Sequence, residues 1–160
     1  MCIRDRGEIN QVVSLGNTSG LKINEWLANT NEINENEFIE LVNFTKFPVN
    51  LSGVSLSDST DMSDNFMTLP SLSYIGPNGY SAINPQGFKL SSDFDQLILT
   101  DDTDKIIDEI VYGPQFEGVS QGLSKESDTY QKFSIPTPGI QHPVEGTDDG
   151  LKYQMISKIY

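Results

Sequence analysis

Three sets of residues carry side chains that could do chemistry. The first is Gly118-Val119-Ser120-Gln121-Gly122, a match to the G-x-S-x-G turn that presents a nucleophilic serine, with Asp128 and His142 following in the order a hydrolase triad would use. That turn requires a strand before it and a helix after it. No helical period follows Gly122, and His142 stands beside Pro143, so the serine is expected in an ordinary strand and the histidine in solvent. The second set is Glu25 and Glu40, each at a strand position shared with apolar neighbours. If their strands pair, the two carboxylates come close and split their titration as acid/base pairs do. The structural alternative, in which each accepts N–H groups from a neighbouring loop or sits at a bulge, is the preferred reading.

The third set is acidic. Residues 58–64 and the run Asp101, Asp102 and Asp104 could supply oxygen ligands to Ca2+, which takes about six to eight of them. Neither run has the EF-hand spacing: with Asp102 in first place, the third ligand falls on Ile106 and the required glycine is missing. Solvated loop charge is the default reading, and Asp101, Asp102 and Asp104 are the residues to watch for a metal. The lone Trp26 is expected on the strand face opposite Ile23, as core rather than as an exposed anchor.

These groups must be positioned by strands. Residues 21–27 alternate, with Leu21, Ile23 and Leu27 on one face. In 37–44, Phe38, Val42 and Phe44 point one way and Ile39 and Leu41 the other, so both faces are expected to be covered. Residues 49–58 read as a third strand. Further on, residues 66–70 give a short strand stopped by Pro70, and Pro77-Asn78-Gly79 marks a turn between Tyr74-Ile75 and the strand GYSAIN. Residues 87–112 give the clearest hairpin, with Asp101 to Asp104 at its tip, and SQGLS and YQKFS are the last strand candidates. Short strands at such spacing, with turn signals between them, predict an all-β sandwich or barrel.

The chain has 160 residues, room for about one domain, and a single cysteine, Cys2, so no internal disulfide can form. Ten Lys and Arg against 23 Asp and Glu give a net charge of −13. Such a balance argues against nucleic acid, whose binding depends on cationic groups displacing counterions, and against anionic membrane surfaces. No apolar run approaches the roughly 20 residues of a membrane helix, so no membrane insertion is expected. Residues 1–20 read as an N-terminal scar (MCIRDR, similar to translated adapter sequence) and linker, with an edge strand possible at 9–15. Residues 21–143 read as the domain, and 144–160 as a linker and the start of a further, truncated segment.

Seven short blocks, in order, resemble the lamin-tail domain family. They are Ile23-Asn24-Glu25; Phe38-Ile39-Glu40-Leu41 with Asn43; Leu51-Ser52-Gly53 with Leu56-Ser57-Asp58; residues 75–80 (IGPNGY); Leu97-Ile98-Leu99 with Ile107-Asp108; Ser120 with Gly122; and Thr137-Pro138-Gly139. Leu123 departs from the family, which often has arginine there, and His142 stands where asparagine is usual. The resemblance implies an immunoglobulin-like β-sandwich of two mainly antiparallel sheets. It also implies a non-catalytic structural or binding module of a larger secreted or cell-surface protein, with a protein or surface polymer and other domains of the parent chain as partners. A calcium-dependent binding module using the acidic loops is one alternative. A hydrolase using Ser120 or the Glu25/Glu40 pair is the other. A nuclear scaffold role is not expected, because no coiled-coil heptad is present.

Overall fold

The computed structural model describes residues 14–31, 36–59, 65–124 and 129–141, and it is all-β. The only helical element among them is a single 3-10 turn, Thr18–Gly20, whose entry is capped by the Asn17 side chain accepting the Ser19 N–H. No helix among the described residues is long and apolar enough to cross a membrane.

Among the described residues eleven strands follow in chain order: β1 (Leu21–Leu27), β2 (Phe38–Asn43), β3 (Val49–Asn50), β4 (Ser55–Ser57), β5 (Phe66–Thr68), β6 (Tyr74–Ile75), β7 (Tyr80–Ile83), β8 (Asp95–Thr100), β9 (Ile106–Tyr112), β10 (Ser120–Leu123) and β11 (Tyr130–Phe133). They form a five-stranded sheet in the order β11-β10-β1-β2-β7, a four-stranded sheet in the order β5-β4-β8-β9, and the two-stranded pair β3-β6. Every pairing among them is antiparallel. The hairpin of β8 and β9 lies where the alternation of Leu97, Leu99 and Ile110 places it.

One buried cluster joins the larger sheets. Leu21, Ile23, Trp26, Ile39 and Leu41 come from the five-stranded sheet, and Leu56, Leu97, Leu99, Ile110 and Tyr112 from the four-stranded one. Burying each of the larger side chains contributes about 1.5–3 kcal/mol relative to leaving it in water, so this shared cluster is the main cohesive term. All six residues of β2 are buried, so that strand is covered on both faces as its composition implies. Phe44 lies beyond its end and is about half exposed, at 52%.

Two expectations about the strands are corrected. In β1 the pairing register with β2 slips between Ile23 and Glu25: Ile23 faces Leu41 and the next pair is Glu25 with Glu40, leaving Asn24 as the extra residue of a bulge. Strict alternation therefore fails. Ile23 and Trp26 share the core cluster, while Glu25 and Leu27 turn to the other face with Glu40 and Phe38. A bulge inserts one residue, and one residue flips every side chain beyond it.

The second correction concerns residues 49–58, which are not one strand. Gly53 has φ +81°, and the chain turns there, so that β3 and β4 join different sheets. The Asn50 side chain accepts the Ser52 N–H at 3.0 Å and its hydroxyl at 2.8 Å, and the Val54 N–H closes onto the Leu51 carbonyl at 3.0 Å. A Cβ on Gly53 would lie 2.9 Å from Cβ of Asp102, so both the backbone conformation and the neighbouring hairpin tip call for glycine.

Candidate functional site

The register that puts Glu25 opposite Glu40 sets the two carboxylates side by side on the face away from the core cluster, and neither residue has any exposed surface. A segment past β11 lies over them. Both carboxylate oxygens of Glu25 accept the Thr137 N–H, each at 3.1 Å, and Oε2 also accepts the Thr137 hydroxyl at 3.0 Å. The Ser120 hydroxyl donates to Oε1 of the same carboxylate. Glu40 accepts the amide of the bulged Asn24 at 2.7 Å through Oε1 and the Gly139 N–H through Oε2. The pair therefore fastens residues 137–139 to the centre of the five-stranded sheet.

Burial dominates the electrostatics. Loss of water raises the Glu25 carboxyl above its ordinary value, while the Ser120 hydroxyl and the Thr137 N–H and hydroxyl pull it back. For Glu40 the same desolvation carries it from 4.5 to about 7 against the bonds from Asn24 and Gly139, and the charge of Glu25 adds to the rise. Two buried carboxylates this close bind protons more readily than exposed ones.

Ser120 opens β10, after which the next described element is the strand β11, and the serine is fully buried with its hydroxyl engaged by Glu25. Gly118, with φ +69°, is the turn before that strand, and a Cβ there would collide with the Asn31 side chain. Asp128 and His142 lie outside the described residues, as do Cys2, residues 9–13 of the possible edge strand, most of the 58–64 loop, and the 144–160 segment.

At the hairpin tip, Asp101 turns its Oδ1 onto its own loop, accepting the Thr103 N–H at 2.9 Å, the Thr103 hydroxyl at 2.6 Å and the Lys105 N–H at 3.1 Å. These bonds hold its carboxyl below the ordinary range. Asp104 adopts φ +62°, a left-handed conformation that aspartate tolerates at such tips. Among the described residues no three or more His, Cys, Asp or Glu side chains come together as a metal site, so Asp101, Asp102 and Asp104 do not converge as a ligand set. Asp58 keeps one buried carboxylate oxygen without a hydrogen-bond partner among the described residues, and burial, then the charge of Asp95, raises its carboxyl.

Three polar side chains with structural work of their own carry no signal as a chemical set. Asp108 of β9 accepts the Ile23 N–H at 2.9 Å beside the bulge, where β10 pairs only with Glu25 and Trp26, and it forms an ion pair with Lys22 at 2.9 Å. Asn43 donates its amide to the Phe47, Ile75 and Gly76 carbonyls and accepts the Thr45 N–H. Gln115 accepts the Ala28 N–H at 2.6 Å just past β1. Asp108→Ala leaves the Ile23 N–H buried without an acceptor and is expected to cost about 1–3 kcal/mol, checked by urea unfolding. The half-exposed Lys22 partner adds little to that figure.

No family model, no curated protein and no solved structure matches this chain.

Proposed function

We propose that the chain is a non-catalytic binding or spacer module of the lamin-tail type, an immunoglobulin-like sandwich within a larger secreted or cell-surface protein. The observation that carries this reading is the use of the acid pair. Glu25 and Glu40, the side chains best suited to acid/base work, have no access to solvent and hold a backbone segment in place. Ser120, the only serine in a nucleophile-like motif, is enclosed with them. The sandwich reading is supported by the single core shared between the five- and four-stranded sheets. The seven sequence blocks support the family and, through it, the extracellular setting. The partners are a protein or a surface polymer, met by loops and edge strands, together with neighbouring domains of the parent chain.

The test incubates the full chain with insoluble polysaccharides and surface-protein preparations, and in parallel with ester, phosphodiester and glycoside substrates. Saturable retention without turnover is the expected result. Turnover that disappears in a folded Ser120→Ala or Glu40→Gln variant would overturn it.

A further inference from the structure

A row of paired residues runs outward from the core across three neighbouring strands of the five-stranded sheet. Trp26 of β1 pairs with Gln121 of β10, and Gln121 with Lys132 of β11. Directly paired residues share a face, so the row leaves the buried core at Trp26 and ends in water at Lys132. Along this row, against the end of β9, lies a cavity of about 260 Å3.

Three aromatic rings border it. Trp26 is 1% exposed and lies 5.5 Å from the Tyr112 ring and 5.4 Å from the Tyr130 ring, centroid to centroid, and Tyr130, 44% exposed, forms the open wall. The Trp26 indole N–H is buried and has no hydrogen-bond acceptor among the described residues. Indole is a donor only, and a buried donor without an acceptor is uncommon in native structures. Polar residues complete the lining, Gln121, Gln131 and Lys132 among them. The Lys132 ammonium sits 4.3 Å over the centre of the Phe116 ring, beside the lining and within a side-chain rotation of it.

Charge decides what fits. In a chain with 23 acidic and 10 basic residues, the described residues that line this cavity include one cation, Lys132, and no carboxylate. An aromatic enclosure of this kind would otherwise suit a quaternary ammonium, but the Lys132 charge repels one. The size is just under the roughly 300–1,000 Å3 of sites for drug-sized ligands, which suits a single ring. Aromatic faces attract the weakly positive C–H groups of a sugar ring, an amide can both donate to and accept from hydroxyls, and an ammonium binds a carboxylate by a charge-assisted bond.

We propose that this cavity between the end of β9 and strands β10 and β11 is a subsite for one acidic sugar residue, a uronate, of a surface polysaccharide. The proposal rests on the reading of the chain as a binding module and names its ligand class. Tyr130 supplies the stacking face, Gln121 the hydroxyl contacts, and Lys132 the carboxylate contact.

Trp26 is the only tryptophan in the chain and forms one wall of this cavity, so tryptophan emission responds to a ligand seated there. The full chain is titrated with galacturonate oligosaccharides and, separately, with neutral gluco-oligosaccharides. A saturable emission change with the acidic series is expected, at least tenfold weaker for the neutral series and for Lys132→Ala. Lys132 is exposed, so its removal leaves the fold intact, and an unchanged melting temperature verifies that. Unchanged emission up to millimolar ligand, or equal responses from neutral sugars or from Lys132→Ala, overturns the proposal. Retention on some other polymer with unchanged emission overturns the subsite and leaves the binding module standing. New reducing ends released from the oligosaccharide overturn the module reading itself.

Discussion

Glu25→Ala is expected to lower the unfolding free energy by about 3–5 kcal/mol, the largest effect of any single substitution outside the apolar core. Three donors converge on this carboxylate: the Ser120 hydroxyl, the Thr137 N–H and the Thr137 hydroxyl. Each is buried, and each orphaned donor costs about 1–3 kcal/mol. Part of that is offset, because removing Glu25 also removes a charge that disfavours ionisation of Glu40. Glu25→Gln separates the two contributions. The glutamine oxygen still accepts from Thr137 while the charge is gone, so this variant should lose much less than the alanine, and least at alkaline pH. Urea unfolding of both variants at pH 6 and pH 8 checks the expectation. An alanine variant within about 1 kcal/mol of the parent would mean that the 137–139 segment is held by something other than the acid pair.

Much of this arrangement is legible from residue types, and the failures have identifiable causes. Strand existence follows from local alternation and turn chemistry, which is why the β8–β9 hairpin and the short strand ending before Pro70 fall where their residues imply. The break at Gly53 is carried by a single glycine whose need for positive φ shows only when the 49–58 run is treated as two strands. The bulge at Asn24 has no local signal: asparagine is as common in loops as at bulges, and the register slip is set by pairing with β2. Glu25 and Glu40 do lie together, but not on the face that simple parity assigns to Glu25. Ile23 belongs to the core and Glu25 to the opposite side. Their partners are illegible for a different reason. Thr137 is separated from Glu25 by 112 positions, and no local pattern links a buried carboxylate to a backbone N–H that far along the chain. Asp108 is hidden in the same way, since its role exists only because β10 leaves the Ile23 N–H unpaired.

The second large effect is a loss of stability with rising pH. An acid whose folded value lies above its unfolded value binds more protons in the folded state across the interval between the two, and stability there falls as pH increases. Glu40 moves from 4.5 to about 7, and Glu25 is raised as well, both chiefly by burial. The Glu40 contribution is therefore fully present below pH 4.5 and is lost as pH rises through about 7, and Glu25 acts in the same direction. For Glu40 alone the displacement corresponds to up to about 3 kcal/mol. Growing self-repulsion in a chain of net charge −13 acts in the same direction, so a decline in the parent alone does not identify its source. Glu40→Gln does, because it removes the buried titration and leaves the surface charge almost unchanged. Unfolding free energies measured from pH 4.5 to 8.5 should decline steeply in the parent and markedly less in the variant; parallel curves would assign the decline to the surface. The amide of Gly139 offers a local readout of the same linkage, since it donates to Glu40 itself. Its exchange protection, corrected for the intrinsic pH dependence of exchange, should weaken as pH rises through about 7, because ionisation of Glu40 on a buried face favours opening of the 137–139 segment to water.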